Sequence, residues 1–332
     1  MGDMWWIALG TFMVSLSIQY IVIKISHKYS FFMDLHTDEK PQNFHTDTTP
    51  RAGGVGIIIS MFFLLFTVLG WKMLLSLILA FLSGIFEDFH HSIKPKIRLI
   101  LQFIAALSSV VLTDSVVTYL GFDFTLSYDI GVALSIFAII GMMNAINIID
   151  GFNGLASSIV TLILLSFGIV AYQVGDSEIL DIITIAISSI FAFFLFNFPK
   201  GKIFLGDGGA YLLGFIVATI GISLAGHYEK VSPWFVLTIL IYPVWEVIFS
   251  IIRKLIAHRS PLEPDSLHMH MLVYKNITHN NSLTSIVIVT SSAPFILIPT
   301  LYANNSIANF ETMMVYIVLY TFIYLYLVRR EG

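Results

Sequence analysis

The chain has 332 residues, 57% of them hydrophobic and 11% charged, with a mean hydropathy of +0.87. That balance excludes a soluble globular domain and leaves a polytopic membrane protein. The absence of cysteine excludes a disulfide framework and a thiolate metal site, and the net charge of −4 says less than where the charges lie.

Apolar runs near the ~20 residues needed to cross a bilayer fall at 4–23, 53–70, 72–86, 97–113, 130–148, 155–173, 179–197, 209–226, 234–256, 284–302 and 312–328. They predict an all-α integral membrane protein of about eleven transmembrane helices. No basic region precedes Trp5 and no small-residue cleavage site follows, so the first run reads as a retained helix. Neither an internal repeat nor a low-complexity linker interrupts the chain, which reads as one membrane domain over 1–332.

Basic residues set the expected orientation. With the N-terminus outside and the C-terminus cytoplasmic, the inner loops and helix ends hold all of the 17 Lys and Arg except Lys72 and Lys230. The same alternation sorts the chemistry. Asp88, Asp150, Asp207 and every histidine but His227 fall on the inner segments 24–52, 87–96, 149–154, 198–208 and 257–283. The expected location is the inner (cytoplasmic) membrane, with the reactive groups facing the cytoplasm.

The stretch Asn144 to Leu155 places Asn144, Asn147, Asp150 and Asn153 at intervals of three, beside Gly151 and Gly154. On a helix this spacing makes a polar stripe. Four such groups at the end of a membrane helix are costly unless they bind something, and a capped junction would need only one of them. The first inner loop holds His45 and Pro50-Arg51-Ala52-Gly53-Gly54, where Arg51 beside exposed backbone donors suits an anionic group. Glu87-Asp88 are adjacent acids followed by Lys94, Lys96 and Arg98, a pairing suited to a divalent cation or proton transfer beside phosphate. Asp207 lies among Gly206, Gly208 and Gly209 at a helix start, with Phe204 three residues earlier as a face for a base and Asn197 upstream. His268 and His270, with Arg259 nearby, fit phosphate contact better than a metal pair.

Together these segments resemble the polyprenyl-phosphate N-acetylhexosamine-1-phosphate transferases, the superfamily that includes phospho-MurNAc-pentapeptide translocase. The resemblance rests on His45…Pro50-Arg51-x-Gly53-Gly54, Glu87-Asp88, Asn144-x-x-Asn147-x-x-Asp150-Gly-x-x-Gly-Leu155, Phe204-Leu-Gly-Asp207-x-Gly and His268-x-His270. It implies attack of a polyprenyl (undecaprenyl) phosphate on the β-phosphorus of a UDP-sugar, releasing UMP. The lipid diphosphate sugar would start a cell-envelope glycan such as O-antigen.

By position, the resemblance gives Asp207 and Asn147 to Mg²⁺, or Mn²⁺ in its place. Asp150, Asn153, Asn197 and Phe204 fall to the nucleotide, with Asn144 beside them. Asp88 with Glu87 would orient or deprotonate the lipid phosphate, and His268, His270, Arg259, Arg51 and His45 would meet phosphate charge. The implied partners are the UDP-sugar, the lipid acceptor and the membrane. A homodimer is compatible, and nucleic acid is not expected. Three positions depart from the family: Glu87 for the first Asp, Asn43-Phe44 where a basic residue is common, and Met271 for a second adjacent His. An ion-coupled transporter is the competing class, with Glu246 the one clear acid inside a predicted span.

Overall fold

The computed structural model describes residues 4–30, 32, 49–89, 94–260 and 266–330, so His45 lies outside the described residues. The helices are α1 (Met4–Tyr29), α2 (Gly53–Ser60, continued by 3₁₀ turns Met61–Phe66), α3 (Val68–Asp88), α4 (Pro95–Thr113), α5 (Tyr128–Ile149), α6 (Leu155–Val174) and α7 (Ser177–Asn197). They continue as α8 (Gly206–His227), α9 (Pro233–Ile239), α10 (Ile241–Ile256), α11 (Met269–Val273), α12 (Asn281–Leu297, continued by Ile298–Tyr302) and α13 (Ser306–Val328). Among the described residues, nine helices are long and apolar enough to span a bilayer, which establishes a multi-pass, all-helical membrane protein.

Two of the eleven expected spans differ from simple rods. Run 53–70 forms a 14-residue helix that stops at Thr67, whose hydroxyl accepts the Gly70 N–H and caps α3. It still joins the two ends of the bundle. Gly53 N–H donates to the Phe204 carbonyl at one end, and Leu69 N–H donates to Glu178 at the other. Run 234–256 bends by 77° between α9 and α10. Pro243 explains the break: it has no N–H for the carbonyl of Ile239, and its ring crowds the preceding turn.

The fold centres on α8, which is buried along almost its whole length. Its glycines allow neighbours to approach closely, as small residues do between membrane helices. A Cβ on Gly54 of α2 would stand 2.5 Å from the Gly209 nitrogen, and one on Gly214 would stand 2.6 Å from the Met142 carbonyl oxygen of α5. Packed around α8, helices α3, α5 and α6 extend one contiguous apolar core.

The alternating course of the helices sorts the loops. The end of α3, the start of α4, the end of α5, the starts of α6 and α8 and the end of α7 meet at one end of the bundle. The opposite end is tied by Tyr228 Oη to Asp176, Trp234 Nε1 to the Leu120 carbonyl, and Ser232 to Ser306.

Candidate active site

The site end is built on a backbone junction between two of the motifs. Phe204 N–H donates to the Pro50 carbonyl, Gly53 N–H to the Phe204 carbonyl and Gly54 N–H to the Leu205 carbonyl. This short ladder docks the Pro-Arg-x-Gly-Gly segment on the segment leading into α8. Gly206 has φ +77°, and a Cβ there would lie 2.7 Å from both the Arg51 carbonyl oxygen and Asp88 Oδ2. Only glycine meets both demands.

Asp207 is the meeting point. Its Oδ1 accepts from Arg51 Nη2 at 3.0 Å and from Asn147 Nδ2 at 3.1 Å. Arg98 Nη1 stands 3.9 Å from Oδ2, with its guanidinium over the Tyr211 ring. Asp88 lies beneath, 3% exposed. Its two oxygens accept the Asp207 and Gly208 N–H groups at 2.9 and 3.0 Å, which places a carboxylate on the positive N-terminus of α8. Arg51 Nε is 3.9 Å from the same carboxylate. Arg51, Asp88, Asn147 and Asp207 thus come together from four separate segments, with Arg98 at the rim.

Asp150 caps α5 beside this cluster. Burial pushes its carboxyl up to about 7; the Arg51 guanidinium opposes the rise and the Asp207 carboxylate adds to it. His270 is fully buried. Its Nε2 has no hydrogen-bond partner among the described residues and would lie 3.2 Å from a Cβ on Gly151. Desolvation lowers the His270 pKa to about 4, with Glu246 opposing and His268 reinforcing the fall, so at neutral pH it presents an uncharged ring to Gly151.

The expected single polar stripe does not form. Helix α5 ends at Ile149 and the chain turns through 150–154, so the three-residue period loses its helical meaning there. Asn144 donates to Gln102 of α4 and to the Ile140 carbonyl. Asn153 donates to the Pro199 carbonyl, and its N–H bonds Asn281 at the start of α12. Asn147 alone of the three amides reaches Asp207.

Asn197 is placed between the loops that flank the site. Its Oδ1 accepts the Gly154 N–H at 2.6 Å and its Nδ2 donates to the Ile203 carbonyl, so both polar ends brace the loops. Buried Asn153 keeps one unpartnered atom, Oδ1, among the described residues. Arg259 is exposed beyond α10, and among the described residues no ion pair joins it to the cluster. The Glu87 side chain is half-buried and makes no hydrogen bond or ion pair among the described residues, whereas that of Asp88 makes several. Phe204 is half-buried, with its backbone in the ladder.

Two residues matter more than the sequence alone indicated. Arg98 reads there as one of several basic residues, and only the turn of α4 toward α8 singles it out. Glu246 reads there as an isolated acid, and its partners come from segments more than twenty residues away.

A cation site can be tested against these groups. Among the described residues, no three His, Cys, Asp or Glu side chains gather as a metal cage. One carboxylate with an adjacent amide still suits Mg²⁺, which takes few protein oxygens and completes its shell with phosphate and water. The Asn147 amide now points its NH₂ at Asp207 and would turn its oxygen to a cation. The donor set fits a cation shared with a diphosphate.

Sequence comparison agrees with this geometry. The family description "Glycosyl transferase family 4" matches residues 68–225. The chain is 27% identical over 295 residues to a protein of Bacillus subtilis (strain 168) described as a probable undecaprenyl-phosphate N-acetylglucosaminyl 1-phosphate transferase, covering 84% of this chain and 80% of that one. It is 31% identical over 232 residues to the phospho-N-acetylmuramoyl-pentapeptide-transferase of Streptococcus pneumoniae serotype 2, covering 64% and 68% of the two chains. The enzyme of the same description from Streptococcus agalactiae serotype Ia is 34% identical over 157 residues, 46% of each chain. The chain belongs to the polyprenyl-phosphate N-acetylhexosamine-1-phosphate transferase superfamily, within glycosyl transferase family 4.

Proposed function

We propose that the protein transfers an N-acetylhexosamine 1-phosphate from a UDP-sugar to undecaprenyl phosphate. An oxygen of the lipid phosphate bonds to the β-phosphorus, the bond from that phosphorus to the bridging oxygen breaks, and UMP leaves with that oxygen. The observation that carries this reading is the convergence of Arg51, Arg98, Asn147 and Asp207 at one end of a membrane bundle. There a water-borne donor and a lipid headgroup can meet.

Phosphoryl transfer needs alignment and charge neutralisation more than covalent help. Asp207 and Asn147 would hold Mg²⁺, whose chemistry there is neutralisation of diphosphate charge. Arg51 and Arg98 share the Asp207 carboxylate. A diphosphate would offer both guanidiniums a stronger partner. A phosphomonoester loses its second proton at about pH 6, so the lipid phosphate arrives as a dianion and needs no strong base. That suits Asp88, whose oxygens already hold the first turn of α8. Neutral His270 and the Gly151 backbone would line the donor beside Asp150.

The positive-inside bias supports a cytoplasmic site, where UDP-sugars are available, in the bacterial inner membrane. The lipid-linked product would begin a cell-envelope glycan, with O-antigen one candidate. Membranes bearing the protein, supplied with undecaprenyl phosphate, Mg²⁺ and each of a panel of UDP-N-acetylhexosamines, are expected to release UMP with one donor. Silence across the panel would overturn the reading. Omitting Mg²⁺ and restoring it tests the cation.

A further inference from the structure

We propose that Glu246 is a positioning residue for this transfer, fixing the ring of His268 and the backbone of the His268-Met269-His270 turn from the bent helix α10. The inference rests on the function proposed above and adds to it a residue outside the five sequence motifs.

Glu246 is 1% exposed within an apolar span, where a carboxylate is expensive unless donors surround it. Three do. His268 Nδ1 lies 2.9 Å from Oε1, Met269 N–H donates to the same oxygen at 3.1 Å, and Tyr320 Oη donates to Oε2 at 2.8 Å. A carboxylate ringed by donors accepts only, so the proton on the His268 ring facing it belongs to Nδ1. Its tautomer and its rotation are set together, as when a carboxylate orients a metal-bound or catalytic histidine.

Two of the three bonds end on the His-x-His turn, which points beyond simple burial. Tyr324 Oη holds the Leu267 carbonyl on the other side of the turn. The His268 and His270 rings lie parallel, 5.6 Å apart, and His270 Nε2 faces Gly151. A side chain on α10 therefore sets the turn that covers the residue next to Asp150. The 77° bend at Leu240 delivers it: six residues past the bend, Glu246 meets α11 and α13 in place of the apolar core.

A double-mutant cycle separates positioning from plain stability. Glu246→Ala is expected to lower kcat about 10- to 100-fold, the effect of losing hydrogen bonds to a charged group, with the donor KM little changed. Glu246→Gln keeps an oxygen for His268 and Met269 and should recover most of the loss. His268→Asn keeps a donor at the Nδ1 position while removing the ring, and in that background Glu246→Ala should change kcat by less than about threefold. Full multiplication of the two losses, or Glu246→Ala at parental turnover, would overturn the proposal. Where Glu246→Ala fails to fold, Tyr320→Phe, which removes the donor to Oε2, takes its place in the cycle.

A second readout does not depend on turnover. Nitrogen-15 NMR of histidine-labelled protein, with His268 assigned through His268→Asn, should show an Nδ1-protonated ring in the parent that is lost in Glu246→Ala. An unchanged ring sinks the positioning role even if the protein turns over. The expected ring in a protein that releases no UMP would leave positioning standing and remove the reaction.

Discussion

Asp88 and Asp207 are joined through backbone: the carboxylate of Asp88 accepts the N–H of Asp207 at 2.9 Å and that of Gly208 at 3.0 Å. One acid of the site thus holds the helix that presents the other. Asp88→Asn puts an NH₂ against one of these donors and is expected to cost about 1–3 kcal/mol of stability, with turnover falling alongside. Differential scanning calorimetry or thermal aggregation in detergent, run beside the UMP assay, checks this. Lost turnover with full stability would instead mark Asp88 as a base acting on substrate. Its neighbour Glu87 makes no such bonds, and Glu87→Asp should leave turnover within about a factor of three.

Asp207 is paired by Arg51 at 3.0 Å and by Asn147 at 3.1 Å. Asp207→Asn should lower turnover by more than about a hundredfold, as removal of charge stabilisation at a reacting centre does, while the protein still elutes as a single folded species. Near-parental UMP release would remove Asp207 from the centre. Arg51→Lys should behave more like Arg51→Ala than like the parent, because one ammonium replaces a two-ended fork.

Asp150 gives the protein a pH dependence of definite sign. Its carboxyl titrates at about 7 in the folded chain against an ordinary value of 3.8, chiefly through desolvation. The folded state therefore holds a proton that the unfolded chain has released. That contribution is complete below about pH 4 and is lost as pH rises through about 7. Asp150→Asn should flatten the decline of thermal stability between about pH 4 and about 7. An unchanged profile would show that Asp150 is ionised throughout that range.

Close helix packing predicts a contrast between two glycines. Gly54→Ala would drive a methyl to within 2.5 Å of Gly209 nitrogen, backbone against backbone, whereas nothing lies within 4 Å of a Cβ on Gly141. The first should destabilise by about 1–3 kcal/mol and disturb the ladder at Phe204. The second should be neutral or stabilising by up to about 1 kcal/mol, the gain of alanine over glycine in a helix. Comparative melting of the two variants tests this, and equal melting temperatures would contradict the packing described.

Composition and hydropathy alone determined that the chain is a helical membrane protein, because nothing but lipid accommodates so apolar a sequence. Alternation of the runs also placed Asp88, Asn147, Asp150 and Asp207 at one end, since antiparallel helices return each second loop to the same side. Local pattern went no further. The three-residue period of Asn144, Asn147, Asp150 and Asn153 implied one face, but a face exists only while the helix lasts, and α5 stops at Ile149. Tertiary packing decided that Asn197 braces loops, that Asp88 holds α8 and that Arg98 reaches Asp207. It also turned Glu246, an apparent stray charge in a span, into the acceptor for His268. Those pairings join residues 22 to 119 positions apart, and contacts of that range depend on how helices cross, which the order of residues along one helix does not contain.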